Sequence, residues 1–283
     1  MDQITIAASG MTFDAFAAGP DDGEPVLLLH GFPQTAWSYR HQIVALADAG
    51  YRVVAPNQRG YSPRARPEDV SAYRGEHLVA DVVAMADALG FERFHLAGHD
   101  WGGAIAWHIA GRHGERLLSL TVLSTPHPRA LGAALRGEMG GDQEQRSGYV
   151  AVFREEGSEQ LFVADGAQGL RALFAASGLS VMEAEPYVNA LGTADAMRAA
   201  LNWYRAADPT FVEGLGPITT PTLYVWSTDD IALGREAAEA TAACVDGPYQ
   251  FEVLDGVNHW MAETAPEAVT SLLLAHLSSN PRQ

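Results

Sequence analysis

Short, nearly unbroken apolar runs punctuate the chain. They are Val26 to His30, Arg52 to Pro56, Phe94 to Gly98, Leu117 to Leu123, Leu223 to Trp226 and Phe251 to Leu254. Runs of this length without polar alternation predict strands buried on both faces, as in a parallel sheet. Between them the period changes. Leu78, Val82, Met85 and Leu89 recur at helical spacing and share one face. Strands alternating with helices predict an α/β fold, a mostly parallel sheet flanked by helices on both sides.

The alternation breaks after the Pro-rich stretch Ser124-Thr-Pro-His-Pro128 and resumes at Pro217 to Pro221. The region between is rich in Ala, Glu and Arg and reads helical. A helical block inside an α/β chain is most simply a lid inserted over the carboxyl edge of the sheet, where ligands bind in open α/β folds. The expected division is a core of residues 1–126 and 218–283 and a helical cap of residues 127–217.

Composition narrows the chemistry. The chain has 283 residues, 47% of them hydrophobic, enough for one large core. Its formal net charge is −17, and its 18 basic side chains are all arginine. Such a chain is a poor partner for nucleic acid or anionic membranes, and it has no lysine for Schiff-base or phosphate-loop chemistry. One cysteine, Cys244, excludes an internal disulfide and most cysteine metal sites. No membrane span and no secretory signal are visible, so a cytoplasmic location is expected. No metal-ligand cluster of the His-Glu-x-x-His type appears, and no cofactor is expected. A homodimer is left open.

The most informative stretch is Phe94-His-Leu-Ala-Gly-His-Asp-Trp-Gly-Gly-Ala-Ile-Ala-Trp107. A buried run enters Gly98-His-Asp-Trp-Gly102, and a small-residue helix follows. This is the spacing of the G-x-S-x-G nucleophile elbow, with Asp100 where serine would stand. The turn needs glycine at 98 and 102 because side chains there would meet neighbouring backbone. Amide groups at the helix start favour an anion, so Asp100 should stay ionised. The plainer alternative is that Asp100 only caps the helix. A carboxylate nucleophile attacks sp³ carbon bearing a leaving group and becomes an alkyl ester, which points to epoxides or alkyl halides.

Two further segments complete an ordered set. Val225-Trp-Ser-Thr-Asp-Asp-Ile231 ends one strand with paired acids, and Gly256-Val-Asn-His-Trp260 follows the last strand. Nucleophile, acid, histidine is the chain order of α/β-hydrolases. His259 would take a proton from water, and an acid would fix its tautomer. Asp230 is preferred over Asp229 because it fits the related Trp-Gly-x-x-Asp pattern. His30-Gly-Phe-Pro33 matches the hydrolase loop that gives one oxyanion-hole amide, here Phe32; Trp101 would give the other.

HGFPQTAWSYRHQ, NQRGYSP, GHDWGG and GVNHW resemble the signatures of soluble epoxide hydrolases, over nearly the whole chain. The resemblance implies the α/β-hydrolase fold with a helical cap, and cofactor-free hydrolysis of an epoxide by water to a vicinal diol; the apolar, Ala-rich cap points to a small hydrophobic epoxide. The resemblance also implies two cap tyrosines that hold and protonate the epoxide oxygen. Leu201-Asn-Trp-Tyr-Arg205 is similar to the second-tyrosine motif and assigns Tyr204. Tyr149 keeps the spacing of the first, although Arg154 and Glu156 depart from the Gln and Pro common there. Asn57 departs from an acid common before Gln-Arg-Gly, an expected effect on loop packing. Tyr187 has no motif support and is expected to be structural.

Two rivals stand beside this reading. A haloalkane or haloacid dehalogenase would share the fold and the Trp after the nucleophile. Haloalkane-type members usually add an Asn where this chain has Phe32, and fluoroacetate-type members a cap histidine it lacks. A ligand-binding protein without turnover could also use the fold, but it would not need an intact nucleophile, acid and base.

Overall fold

The structure, a computed structural model, describes residues 1–212 and 214–282. Its first strands, β1 (Asp2–Ala8) and β2 (Met11–Ala18), form an antiparallel hairpin. Then come β3 (Glu24–Leu29), α1 (Arg40–Asp48), β4 (Tyr51–Pro56), α2 (Gly75–Ala88), β5 (Phe94–His99), α3 (Trp101–Arg112) and β6 (Leu117–Leu123). Among the described residues six α-helices follow before the next strand: α4 (Pro128–Leu135), α5 (Gln143–Arg146), α6 (Tyr149–Arg154), α7 (Gln160–Ala176), α8 (Val181–Leu191) and α9 (Ala194–Arg205). The chain returns through β7 (Thr222–Asp229), α10 (Arg235–Ala240), β8 (Tyr249–Asn258), α11 (Met261–Thr264) and α12 (Pro266–Ser278).

The strands form one sheet in the order β1-β2-β4-β3-β5-β6-β7-β8. Pairings are parallel from β4 onward and antiparallel among β1, β2 and β4. The apolar runs work because strand side chains alternate between faces. Leu27 and Leu29 join the core beneath α2 and α3, while Val26 and Leu28 join the core against Ile43 of α1 and Leu273 of α12. Two findings differ from the sequence reading. The β1–β2 hairpin was not foreseen, because Ile4 and Ile6 alternate with polar residues. Strand β8 is not buried on both faces: it is the sheet edge, and Val253 is 39% exposed.

The helices between β6 and β7 rest on the loop after β4. Gly60 there has φ +88°, and a Cβ on it would lie 2.7 Å from the Ala199 carbonyl oxygen of α9. Only glycine allows that approach. The Trp203 indole donates to the Arg59 carbonyl at 2.8 Å, and Arg59 is clamped to buried Asp81 through Nε and Nη2, each at 2.7 Å. This seat fixes α9, the helix that carries Tyr204.

Candidate active site

The turn between β5 and α3 is as tight as its glycines suggested. A Cβ on Gly98 would lie 2.3 Å from the Gly102 carbonyl oxygen, and one on Gly102 would lie 2.2 Å from that of Leu29. Asp100 sits at the tip with φ 51° and ψ −119°, a conformation that costs about 1–3 kcal/mol outside glycine. Its side chain makes no helix-capping bond, which removes the plainer alternative. Instead the Phe32 amide donates to Asp100 Oδ1 at 2.8 Å. The Trp101 amide, at the start of α3, also lies against the carboxylate. Thr125 Oγ1 donates to the Asp100 carbonyl at 2.7 Å and supports the turn from the end of β6.

The other carboxylate oxygen faces histidine. His259 Nε2 lies 3.7 Å from Asp100 Oδ2, and His259 Nδ1 donates to Asp230 Oδ2 at 2.9 Å. Asp230 is buried, and its second oxygen accepts the Ala232 and Leu233 amides at 2.8 and 2.9 Å. Asp229, its neighbour, is exposed and pairs in strand register with Asn258. The structure therefore brings Asp100, His259 and Asp230 together and leaves Asp229 outside.

Charge is distributed to match. Burial alone would raise the Asp100 pKa, but His259, His99 and the Trp101 amide outweigh it and hold the acid below its ordinary value. Burial also opposes ionisation of Asp230, and His259, Ser124 and the Ala232 amide again outweigh it. Burial works the other way on His259. The two flanking carboxylates overcome it and raise the imidazole pKa.

Two buried residues beside the triad had no signal in the sequence. Ser124 follows β6 with φ +74°, a strained value for serine. Its amide donates to Val225, and its carbonyl accepts the Tyr224 hydroxyl, each at 2.8 Å. The hydroxyl so placed donates to Asp230 Oδ2 at 2.5 Å and lies 2.9 Å from His259 Nδ1. With its own proton on Asp230, Ser124 Oγ can share the Nδ1 hydrogen. His99 donates from Nε2 to the His259 carbonyl at 2.8 Å and holds that loop from below.

The two cap tyrosines of the sequence reading also converge here. Tyr204 is 4% exposed, and its ring lies 5.3 Å from Phe32, 5.1 Å from Trp101 and 6.3 Å from Tyr149. Burial and the nearby anion of Asp100 raise the pKa of both phenols, so both stay protonated at neutral pH. Tyr149 is the more exposed of the pair, with 36% of its surface open. Arg154, the departure from the family pattern, donates to the Tyr204 and Ala207 carbonyls at 3.0 and 3.3 Å and ties α6 to α9. Tyr187 is buried elsewhere, donating to Glu263 at 2.7 Å. Asn57 accepts the Ala36 amide at 2.9 Å, a loop contact and not a place in the site.

Asp100, Trp101, Tyr149 and Tyr204 line a cavity of about 860 Å³ whose other walls are largely apolar, among them Leu131, Ile105 and Phe211. Phe32 is not a wall: its amide serves Asp100 while its ring is buried against Phe153 and Phe162. Among the described residues no group of three or more His, Cys, Asp or Glu is placed to hold a metal ion. Among them, too, no helix is long and apolar enough to cross a membrane.

Fold, elbow and triad define an α/β-hydrolase, and the alpha/beta hydrolase fold family matches residues 24–266. The chain belongs to the soluble epoxide hydrolase family of that superfamily. It is 31% identical to Epoxide hydrolase A of Mycobacterium tuberculosis, over 96% of each chain. It is 34% identical to the AB hydrolase superfamily protein YfhM of Bacillus subtilis, over 97% of each. Among solved structures, Epoxide Hydrolase A from Mycobacterium thermoresistibile superposes with a TM-score of 0.88 at 30% identity, covering 100% of this chain and 99% of that one.

Proposed function

We propose that this enzyme converts an epoxide to a vicinal diol through a covalent ester on Asp100, beneath a cap formed by residues 127–217. The observation that carries the reading is the division of labour between the two Asp100 oxygens. Oδ1 is held by the Phe32 amide, while Oδ2 faces His259. Oδ2 attacks one epoxide carbon, and the C–O bond of the ring breaks. The departing oxygen takes a proton from Tyr204 or Tyr149. A neutral, protonated phenol is the appropriate donor, since an alkoxide is far more basic.

The ester then presents Oδ1 as its carbonyl oxygen, already bonded to the Phe32 amide, with the Trp101 amide beside the same carboxylate. Water between His259 Nε2 and the ester carbon loses a proton to His259 and attacks that carbon. The oxyanion forms where the amides point, an arrangement whose loss typically costs ~10²–10³ in rate. Collapse expels the diol oxygen, which takes the proton back from His259. The regenerated acid returns its proton to His259, so the resting charges are restored and the sum is epoxide plus water giving diol.

Ester formation also prepares the base. In the resting site two carboxylates raise the His259 pKa. Alkylation removes the charge on Asp100, which leaves Asp230 alone and lowers the imidazole pKa toward the range of a working base; the imidazolium proton then passes to the phenolate left by ring opening, and the neutral ring can act on water. His259→Gln tests the sequence of steps. Intact-protein mass spectrometry after mixing with a terminal alkyl epoxide should show one substrate mass added, located on the Asp100 peptide. Steady turnover at the unmodified rate would refute the role of His259. Release of halide from matched alkyl halides, with no diol from epoxides, would replace the reading with dehalogenation.

A further inference from the structure

Helix α3 carries more of the cavity than its first turn. Positions 100, 104 and 108 fall in one row along the helix, since residues four apart lie above one another. Asp100, Ala104 and His108 all line the cavity, with Ile105 beside them. Ala104, the smallest side chain in the row, stands between the carboxylate and the imidazole. At about 1.5 Å per residue, His108 lies roughly 12 Å along the helix axis from Asp100.

His108 is only 6% exposed, and its orientation is fixed. Arg112 Nη1 donates to His108 Nδ1 at 2.7 Å. Arginine cannot be the acceptor, so Nδ1 carries no hydrogen and the neutral ring carries it on Nε2. Burial and the Arg112 charge depress the pKa to about 3, so the ring is neutral throughout the working pH range. Phe211 lies against one face, with ring centroids 4.2 Å apart. The Arg112 guanidinium in turn sits over Phe211 at 4.3 Å and donates to its carbonyl at 2.7 Å. Among the described residues no acceptor meets Nε2, and the atom is not sealed inside the protein. Nε2 is therefore an oriented N–H donor, without an acceptor among the described residues, on a side chain that lines a largely apolar cavity.

We propose that His108 is a second recognition point of this pocket, taking a hydrogen-bond-accepting oxygen on the substrate roughly 10–12 Å from the carbon that Asp100 attacks. The inference rests on the epoxide-hydrolysing reading and adds a substrate class to it: elongated epoxides with a carbonyl or ether oxygen remote from the ring. The energetic logic is asymmetric. A hydrocarbon arm strips water from the buried N–H and returns nothing, whereas a placed oxygen replaces that water. The Arg112 donor on Nδ1 polarises the ring and strengthens Nε2–H as a donor.

The test uses paired substrates. One series is 1,2-epoxyalkanones with the ketone moved stepwise along the chain; the other is the matching 1,2-epoxyalkanes. The readout is the ratio of kcat/KM for ketone over methylene in each pair. The ratio should peak at one ketone position, at about tenfold. It should collapse to near one in His108→Phe and survive in part in His108→Gln, which keeps a donor. A ratio independent of ketone position, or one unchanged in His108→Phe, would overturn the proposal.

A second measurement needs no change at position 108. In Asp100→Asn protein with ¹⁵N-labelled histidine, the saturating epoxyalkanone should shift the His108 Nε2 resonance and the epoxyalkane should not. Equal or absent shifts would overturn the proposal. If the wild-type enzyme hydrolysed neither series, the proposed reaction would fall, and the resonance shift would still decide the recognition point.

Discussion

Asp100, Asp230 and His259 follow the ends of β5, β7 and β8, whereas Tyr149 and Tyr204 lie on helices inserted between β6 and β7. The first group is held by the sheet and by buried hydrogen bonds that leave little freedom. Asp230 alone receives Ser124, His259 and two amides. The second group is held by ring packing, by the seat at Gly60 and by the Arg154 bonds to α9. Tyr149 keeps over a third of its surface open, against 4% for Tyr204. In the proposed mechanism ester chemistry would sit on the frame of the sheet, and epoxide handling on the more open inserted helices.

Breaking the frame has the largest effect. Asp100→Asn keeps the shape but removes the attacking charge, and turnover of any epoxide should fall by at least ~10⁴. The same variant removes one of the two carboxylates that raise the His259 pKa. That pKa should therefore drop, as an NMR titration of the imidazole would read. An unchanged pKa would mean the two side chains are not electrostatically joined.

The tyrosines come next, and unequally. Tyr204→Phe should slow ester formation by ~10²-fold in a stopped-flow single turnover, the usual size of a lost proton donor. Tyr149→Phe should cost less, ~10-fold, because its ring is less confined. Equal losses would erase the distinction between them. In both variants the later hydrolysis of the ester should keep its rate.

The smallest effect sharpens the frame itself. Ser124→Ala removes a hydroxyl shared by Asp230 and His259, so ester hydrolysis should slow ~3–10-fold. The hydroxyl also helps hold the Asp230 pKa down. Without it the Asp230 charge is less shared and holds the His259 proton more tightly, so the acid limb of the kcat profile should move to higher pH. A purely structural role would lower stability and leave that limb in place.

Much of the frame was legible in the sequence because its constraints are local. Gly98 and Gly102 announce a tight turn, and the apolar runs announce buried strands. The hairpin of β1 and β2 was harder, since its alternating Ile4 and Ile6 bury one face only. Strand β8 misled in the opposite sense: its run is apolar, yet its place at the sheet edge leaves it half open. Ser124 and His108 could not have been read from the chain. A serine after a strand and a histidine within a helix are ordinary. Their meaning arises only when β6 is set beside β7, and when one face of α3 is turned toward the cavity.

The account's central claim is that substrate carbon becomes bonded to Asp100 and that water cleaves the resulting ester at its carbonyl. A single turnover in H₂¹⁸O with excess enzyme tests it most directly, by peptide mass analysis. The Asp100 peptide should gain the heavy isotope, while the first diol released should carry oxygen from the unlabelled carboxylate. Label appearing at once in the diol and never in Asp100 would mean that water attacks the epoxide directly, and would contradict the account.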